Sequence, residues 1–289
     1  MNQLHPAARI GAVHLTVSDL SRSVAFYGEH VGFIEAWRRD DTAGLAAGDR
    51  VLLVLHGSPD APRPPHTTGL YHFAILVPSR LDLARSLRHF ADMGTRMQGF
   101  SDHAVSEALY LADPDGNGIE VYRDRPRDEW RRVNGQIQMT LDPLDVESLL
   151  RDADEETQKA DGPAWKGLVP GTTMGHMHLR VSFVEDSEEF YRDVLGLDLI
   201  LRYAESASFL SAGGYHHHIA VNVWGGVGAP RPPEGAIGLR HFEILLPDAA
   251  AVDDVARRIT AAGIAADITS GRVAVRDPSG NAIVISVQP

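Results

Sequence analysis

The feature that most constrains this chain is that it repeats itself. The segment IGAVHLTVSDLSRSVAFYGEHVGF (10–33) returns as MGHMHLRVSFVEDSEEFYRDVLGL (174–197) at a constant offset of 164. That offset matches His14 with His178, Phe26-Tyr27 with Phe190-Tyr191, and Gly32 with Gly196. A second pair, GLYHFAILVP (69–78) and GLRHFEILLP (238–247), matches His72 with His241. Later in the same halves, DPDGNGIEVY (113–122) returns as DPSGNAIVIS (277–286). Three long matches in one order are a poor product of chance, and self-similarity of this length marks repeated structural units. The chain reads as modules 1 and 2, a linker, then modules 3 and 4.

Each module opens with an alternating strand. Val13, Leu15 and Val17 point to one face, and Ala12, His14 and Thr16 to the other. A helix follows. Leu83, Leu87 and Phe90 in module 2, and Val184, Ser187, Tyr191 and Val194 in module 3, recur at the spacing of one buried stripe. VLLVLHG, HHHIAVNVW and GIEVY supply further strands, and DPDGN and DPSGN carry turn residues. The predicted class is α+β, four βαβββ modules in two paired-module domains. By chain order these are residues 1–126 (modules 1 and 2) and 171–289 (modules 3 and 4). The connector, 127–170, lacks a strand pattern, and DPLDVESLLRDADEE within it predicts a surface helix.

Composition removes several function classes. A net charge of −12 opposes a nucleic-acid or anionic-membrane partner, because both require a basic face. No apolar run approaches the roughly 20 residues of a membrane span. The N-terminal MNQLHPAARIGAVHL lacks the layout of a signal peptide. With no cysteine, disulfides and thiolate metal sites are excluded. These properties predict a soluble cytoplasmic protein.

Two residue types then point to a metal. His14, His72, His178 and His241 hold equivalent positions on first strands, opposite the apolar face. One strand histidine is more often a satisfied core residue; four equivalent ones are not explained that way. In GIEVY, Glu120 lies opposite Ile119 and Val121, whereas the matching place in module 4 holds Val284. Two histidines and one carboxylate with three open positions form the facial triad of non-haem Fe(II) oxygenases. Glu120 and His72 share module 2. The third ligand is His14 if modules 1 and 2 pair, or His178 if modules 2 and 3 pair, and geometry read from the sequence leaves both open. In the remaining pair, His14 and His241 face no carboxylate from Val284, which predicts a vestigial site that holds a metal only weakly.

Modules opening in HLxVxDLxxSxxFYxxxxGF and closing in DPxGNxIE resemble the vicinal oxygen chelate superfamily of glyoxalases, bleomycin-resistance proteins and extradiol dioxygenases. Four modules over nearly the whole chain resemble the bacterial catechol 2,3-dioxygenases. The module motifs are specific for the fold but weak for function, because the same fold hosts many chemistries. The resemblance implies an Fe(II) centre, with Mn(II) as the other candidate, a small aromatic diol and O2 as substrates, and a homo-oligomer. It further implies that His217, three residues before Ala220 in HHHIAVN, matches the acid-base histidine of the dioxygenase HxxA segment. That histidine accompanies the first metal ligand in its module, which favours His178 beside His72 and Glu120. His176, two residues earlier on the same face, is a second-sphere group or a competing ligand. Tyr110, ten residues before Glu120, matches a substrate-region tyrosine. The histidine expected nine residues before that tyrosine is Ser101 here, and His103 stands nearby instead. Strand parity groups His217 with the apolar Ile219 and Val221, so His216 and His218 compete for its role.

Two rivals follow from the same fold. A glyoxalase-like lyase or isomerase uses two carboxylates, and Val284 in place of a second one counts against it. A metal-free binding protein leaves His72, Glu120 and the histidine run without purpose.

Overall fold

The computed structural model describes residues 3–158 and 165–289. Module 1 contains β1 (Arg9–Val17), α1 (Leu20–Phe26), β2 (Ile34–Arg39), β3 (Thr42–Ala47) and β4 (Arg50–Gly57). Module 2 contains β5 (Gly69–Leu76), α2 (Arg80–Asp92), β6 (Met97–Asp102), β7 (Ser106–Ala112) and β8 (Gly118–Asp124). The connector forms the short β9 (Arg132–Val133) and β10 (Gln136–Ile137), then α3 (Val146–Gln158). Module 3 runs through β11 (Thr173–Arg180), α4 (Val184–Glu189), β12 (Asp198–Tyr203), β13 (Ala207–Ser211) and β14 (Ile219–Asn222). Module 4 closes the chain with β15 (Gly238–Leu246), α5 (Ala249–Ala261), β16 (Ala266–Thr269), β17 (Arg272–Arg276) and β18 (Ala282–Val287). The βαβββ expectation holds in all four.

The local reasons are visible in the residues. Val13, Leu15 and Val17 are fully buried while His14 keeps some access to solvent, as period-2 alternation requires. Asp19, Ser79 and Asp248 cap α1, α2 and α5 by accepting the backbone N–H of Arg22, Asp82 and Ala251. In modules 1 and 3 the helix widens into a π-turn, Tyr27–Val31 and Phe190–Val194. Thus the stripe predicted through Val194 is α-helical only to Glu189. Gly32 ends the first π-turn at φ 92°, and a Cβ there would lie 2.7 Å from Gly167 Cα, so no other residue fits without strain.

The sheets depart from chain order. One eight-stranded sheet runs β16-β17-β18-β15-β1-β4-β3-β2 and joins modules 4 and 1; the other runs β12-β13-β14-β11-β5-β8-β7-β6 and joins modules 3 and 2. The expected division into 1–126 and 171–289 therefore does not describe the sheets. The reason is edge pairing: first strands join antiparallel to first strands, as where His14 faces His241. Compactness divides the chain differently again. One unit contains Met1–Thr16, Asp60–His72 and Met174–Pro289, and the other Val17–Pro59 and Phe73–Thr173.

Each unit contains a buried latch that explains two of the repeated motifs. In the second unit, Tyr27 donates its hydroxyl to Asp113 at 2.9 Å, and Asp113 also accepts from the N–H groups of Asp115 and Asn117. In the first, Tyr191 donates to Asp277 at 3.1 Å over the same turn geometry. The tyrosine of FY and the aspartate of DPxGN are thus partners. Burial raises both carboxyl groups despite those hydrogen bonds, and raises both phenols well above their usual range. The connector helix α3 buries Leu149 and Ala153, and its acids Asp152, Asp154 and Glu156 pair with Arg80, Arg88 and Arg85 of α2. It is a packed element, not only a surface helix.

Candidate metal centre

The metal-site candidates lie on the sheet of modules 2 and 3, where β11, β5 and β8 are adjacent. Three buried side chains on those strands, His72, Glu120 and His176, bring ligand atoms within 4.8 Å of one another. His72 comes from β5, Glu120 from β8 and His176 from β11. Two imidazoles and a carboxylate are the donor set of an open-sided divalent metal site. Ligand atoms this close reach one ion at about 2.0–2.2 Å each with small side-chain movements. The residues present fit a metal.

The expected third ligand, His178, is outside that group. Its ring meets His72 edge-on, with centroids 4.9 Å apart, and is walled by Tyr71, Phe209 and Trp224. The competing residue, His176, takes the place beside His72 and Glu120. Both histidines share one face of β11, so the alternation that selected the face did not choose between them.

Around the triad stand the other expected residues. Tyr110 is directly opposite Glu120 in the β7–β8 ladder, which is why ten residues separate them in the sequence. Its hydroxyl lies 2.8 Å from His103 Nε2. The other ring nitrogen, Nδ1, is 2.8 Å from the Thr140 carbonyl, an acceptor only, so Nδ1 carries a proton. In the neutral form of the ring, Nε2 is then the acceptor for the Tyr110 hydroxyl. The displacement from Ser101 to His103 has not broken the pair, because Thr140 of the connector orients the ring.

The histidine run is not a strand. β14 begins at Ile219, so the parity that grouped His217 with Ile219 and Val221 does not operate. His217 packs 4.1 Å from His176 and 5.1 Å from Phe209, centroid to centroid. His216 is buried behind it, their Nδ1 atoms 2.7 Å apart. His218 turns away, its Nδ1 2.9 Å from Ser211 Oγ. Of the three, His217 has its ring nearest to His176, whose ring meets that of His216 only at 6.1 Å.

On the other sheet, His14 and His241 meet as expected, stacked at 3.9 Å. The expectation of no carboxylate is corrected by Glu243, beside Val284 in the β15–β18 ladder and 3.8 Å from His14 Nε2. Burial pushes Glu243 up, but hydrogen bonds from His14 and the Ala12 N–H hold it below the usual range. The signal was in the repeat, where HFE of module 4 aligns with HFA of module 2. Among the described residues, these three do not gather ligand atoms as the triad does.

A fold of paired modules with a His/Glu cluster on one sheet defines the class. Residues 9–121 and 173–285 each match the Glyoxalase/Bleomycin resistance protein/Dioxygenase superfamily, and the chain belongs to it. Across 99% of its length it is 44% identical to the whole of a Bacillus subtilis (strain 168) protein named catechol-2,3-dioxygenase. Solved structures share the fold at low identity. Glyoxalase I from Zea mays superposes with a TM-score of 0.58 at 17% identity, covering 97% of this chain and 92% of that one. The cppA protein from Streptococcus pneumoniae gives 0.53 at 12%, covering 99% of each. No helix among the described residues is long and apolar enough to cross a membrane.

Proposed function

We propose that this protein is an extradiol dioxygenase that opens catechol, or a substituted catechol, with O2 to a 2-hydroxymuconic semialdehyde. The observation that carries this reading is the buried group His72, Glu120 and His176, with His217 packed against it. The full-length relationship to an enzyme named catechol-2,3-dioxygenase supports it.

In this reading His72, Glu120 and His176 would hold one Fe(II), or Mn(II). Such an ion would supply Lewis-acid binding of the two vicinal oxygens and of O2, replacing a three-body encounter by a bound one. The protein handles the protons. His217 accepts a phenolic proton at a ring nitrogen and later returns it to the leaving oxygen. His216 orients that ring through the Nδ1–Nδ1 contact. Tyr110, held by His103, directs a hydroxyl from the Glu120 side. Buried Ala220 and Tyr122, with half-buried Phe209, exclude water from the reacting atoms.

The reaction balances, since both oxygen atoms of O2 enter the product. The test is oxygen uptake by metal-loaded protein given catechol, with one O2 consumed per ring opened. Uptake with a yellow ring-opened product is expected. Metal-loaded protein that consumes no O2 but isomerises a hemithioacetal would instead favour a glyoxalase-like reaction.

A further inference from the structure

Arg180 ends β11 on the face that carries His176 and His178. Among the described residues its guanidinium makes no hydrogen bond or ion pair; it lies over the Tyr71 ring, 5.4 Å from the centroid. Unpaired, partly buried arginine is uncommon, because the group carries five donors in a fixed fork suited to a carboxylate. Tyr71 in turn meets Trp224 edge-on at 5.2 Å, and both touch the His178 ring. An aromatic wall thus connects the metal-side histidines to this cation.

A second, independent observation lies on the neighbouring strand. Asn222 is the in-register partner of Arg180 in the parallel β11–β14 ladder, so their side chains leave the sheet on the same face. Asn222 is fully buried. Its Oδ1 accepts the Trp224 N–H at 3.0 Å, which fixes the amide orientation. Its Nδ2 is then a buried donor with no acceptor. A native interior seldom leaves such a donor unmet unless a ligand meets it. The module-1 counterpart of Arg180 is Thr16 and the module-4 counterpart of Tyr71 is Arg240, so the cation and its aromatic cover are absent from the repeat that lacks the triad.

We propose that Arg180 and Asn222, walled by Tyr71 and Trp224, form a subsite for a carboxylate arm on the aromatic substrate. The preferred substrate class is then a catechol carrying an acidic side chain, its ring against the His178 wall and its carboxylate bridging the guanidinium and the Asn222 amide. From His178 to Arg180 the strand advances about 6–7 Å, the span of a short alkanoate arm. This rests on the dioxygenase reading for the ring chemistry, but not for binding.

The test compares 3-(3,4-dihydroxyphenyl)propanoate with its neutral amide, by calorimetry under nitrogen and by oxygen uptake. Metal-loaded native protein should bind the acid at least roughly tenfold more tightly, the scale of one charge-assisted bidentate contact. Arg180→Met should reduce the acid-to-amide ratio to near one, and Arg180→Lys should restore part of it. Asn222→Asp, nearly isosteric, should turn the preference toward the amide by placing a like charge there. Equal affinities in native protein, no binding of either compound, or a parallel loss of both in Arg180→Met would each overturn the subsite. Selective acid binding without oxygen uptake would leave the subsite standing and overturn the dioxygenase reading.

Discussion

At the scale of residues, the choice between His176 and His178 has a direct measurement. His176→Ala is expected to empty the metal site, and His178→Ala to leave metal content near that of the native protein. The reverse result would return the third ligand to His178. His217 sits against the triad without belonging to it, so His217→Gln should lower turnover on catechol by about 10²–10⁴-fold while metal is retained. Metal loss in that variant would make His217 a ligand. The strand period made the shared face of His72 and Glu120 legible in the sequence, whereas Tyr110 and His217 were singled out only by the resemblance to the dioxygenases. His176 against His178 was not legible. The two share a face about 6–7 Å apart along the strand. Which one reaches His72 and Glu120 depends on how β11 is staggered against β5, and no single strand encodes that.

Elements are held by buried polar contacts that the repeats only hinted at. Tyr27→Phe leaves the Asp113 carboxylate without one of its donors in a buried turn, at a cost of roughly 1–3 kcal/mol. For a chain of this size that lowers the melting temperature by about 2–4 °C per kcal/mol. Thermal unfolding followed by circular dichroism checks it, and an unchanged midpoint would remove the latch from the list of stabilising contacts. On α4, buried Glu188 accepts from Arg192 at 2.8 Å, Arg202 at 2.6 Å and Ser208 at 2.8 Å. Burial pushes this carboxyl up, but the hydrogen bonds from Arg202 and Ser208 and the two guanidinium charges outweigh it, so its pKa is lowered. A group lowered in the folded state stabilises fully above its unfolded value, about 4.3, and loses that contribution as pH falls through the folded value. Glu188→Gln should therefore melt below the native protein at pH 7, and the gap should close on acidification below about pH 4. A gap independent of pH would assign the loss to packing instead. The partly exposed Arg192 and Arg202 keep the effect modest.

For the whole molecule the two sheets are predicted to differ in metal content. One sheet gathers His72, Glu120 and His176, while the other stacks His14 on His241 with Glu243 beside them. Protein purified without a histidine tag is expected to carry one metal ion per chain by elemental analysis. Glu243→Gln should leave that number unchanged, and a second stoichiometric ion lost in Glu243→Gln would show that the other sheet also binds metal. The sequence by itself determined the four modules, their βαβββ order and the face on which the histidines and Glu120 lie. Those follow from periods of 2 and 3.6 residues and from turn chemistry, all properties of contiguous chain. Only the tertiary structure decided that module 2 joins module 3 and module 4 joins module 1, against the division suggested by chain order. It alone put His176 in the triad, brought Glu243 to His14, and set Asn222 beside Arg180. Each depends on which strand edges meet and at what stagger, and the free energy that settles this is spread over packed surfaces distant in sequence.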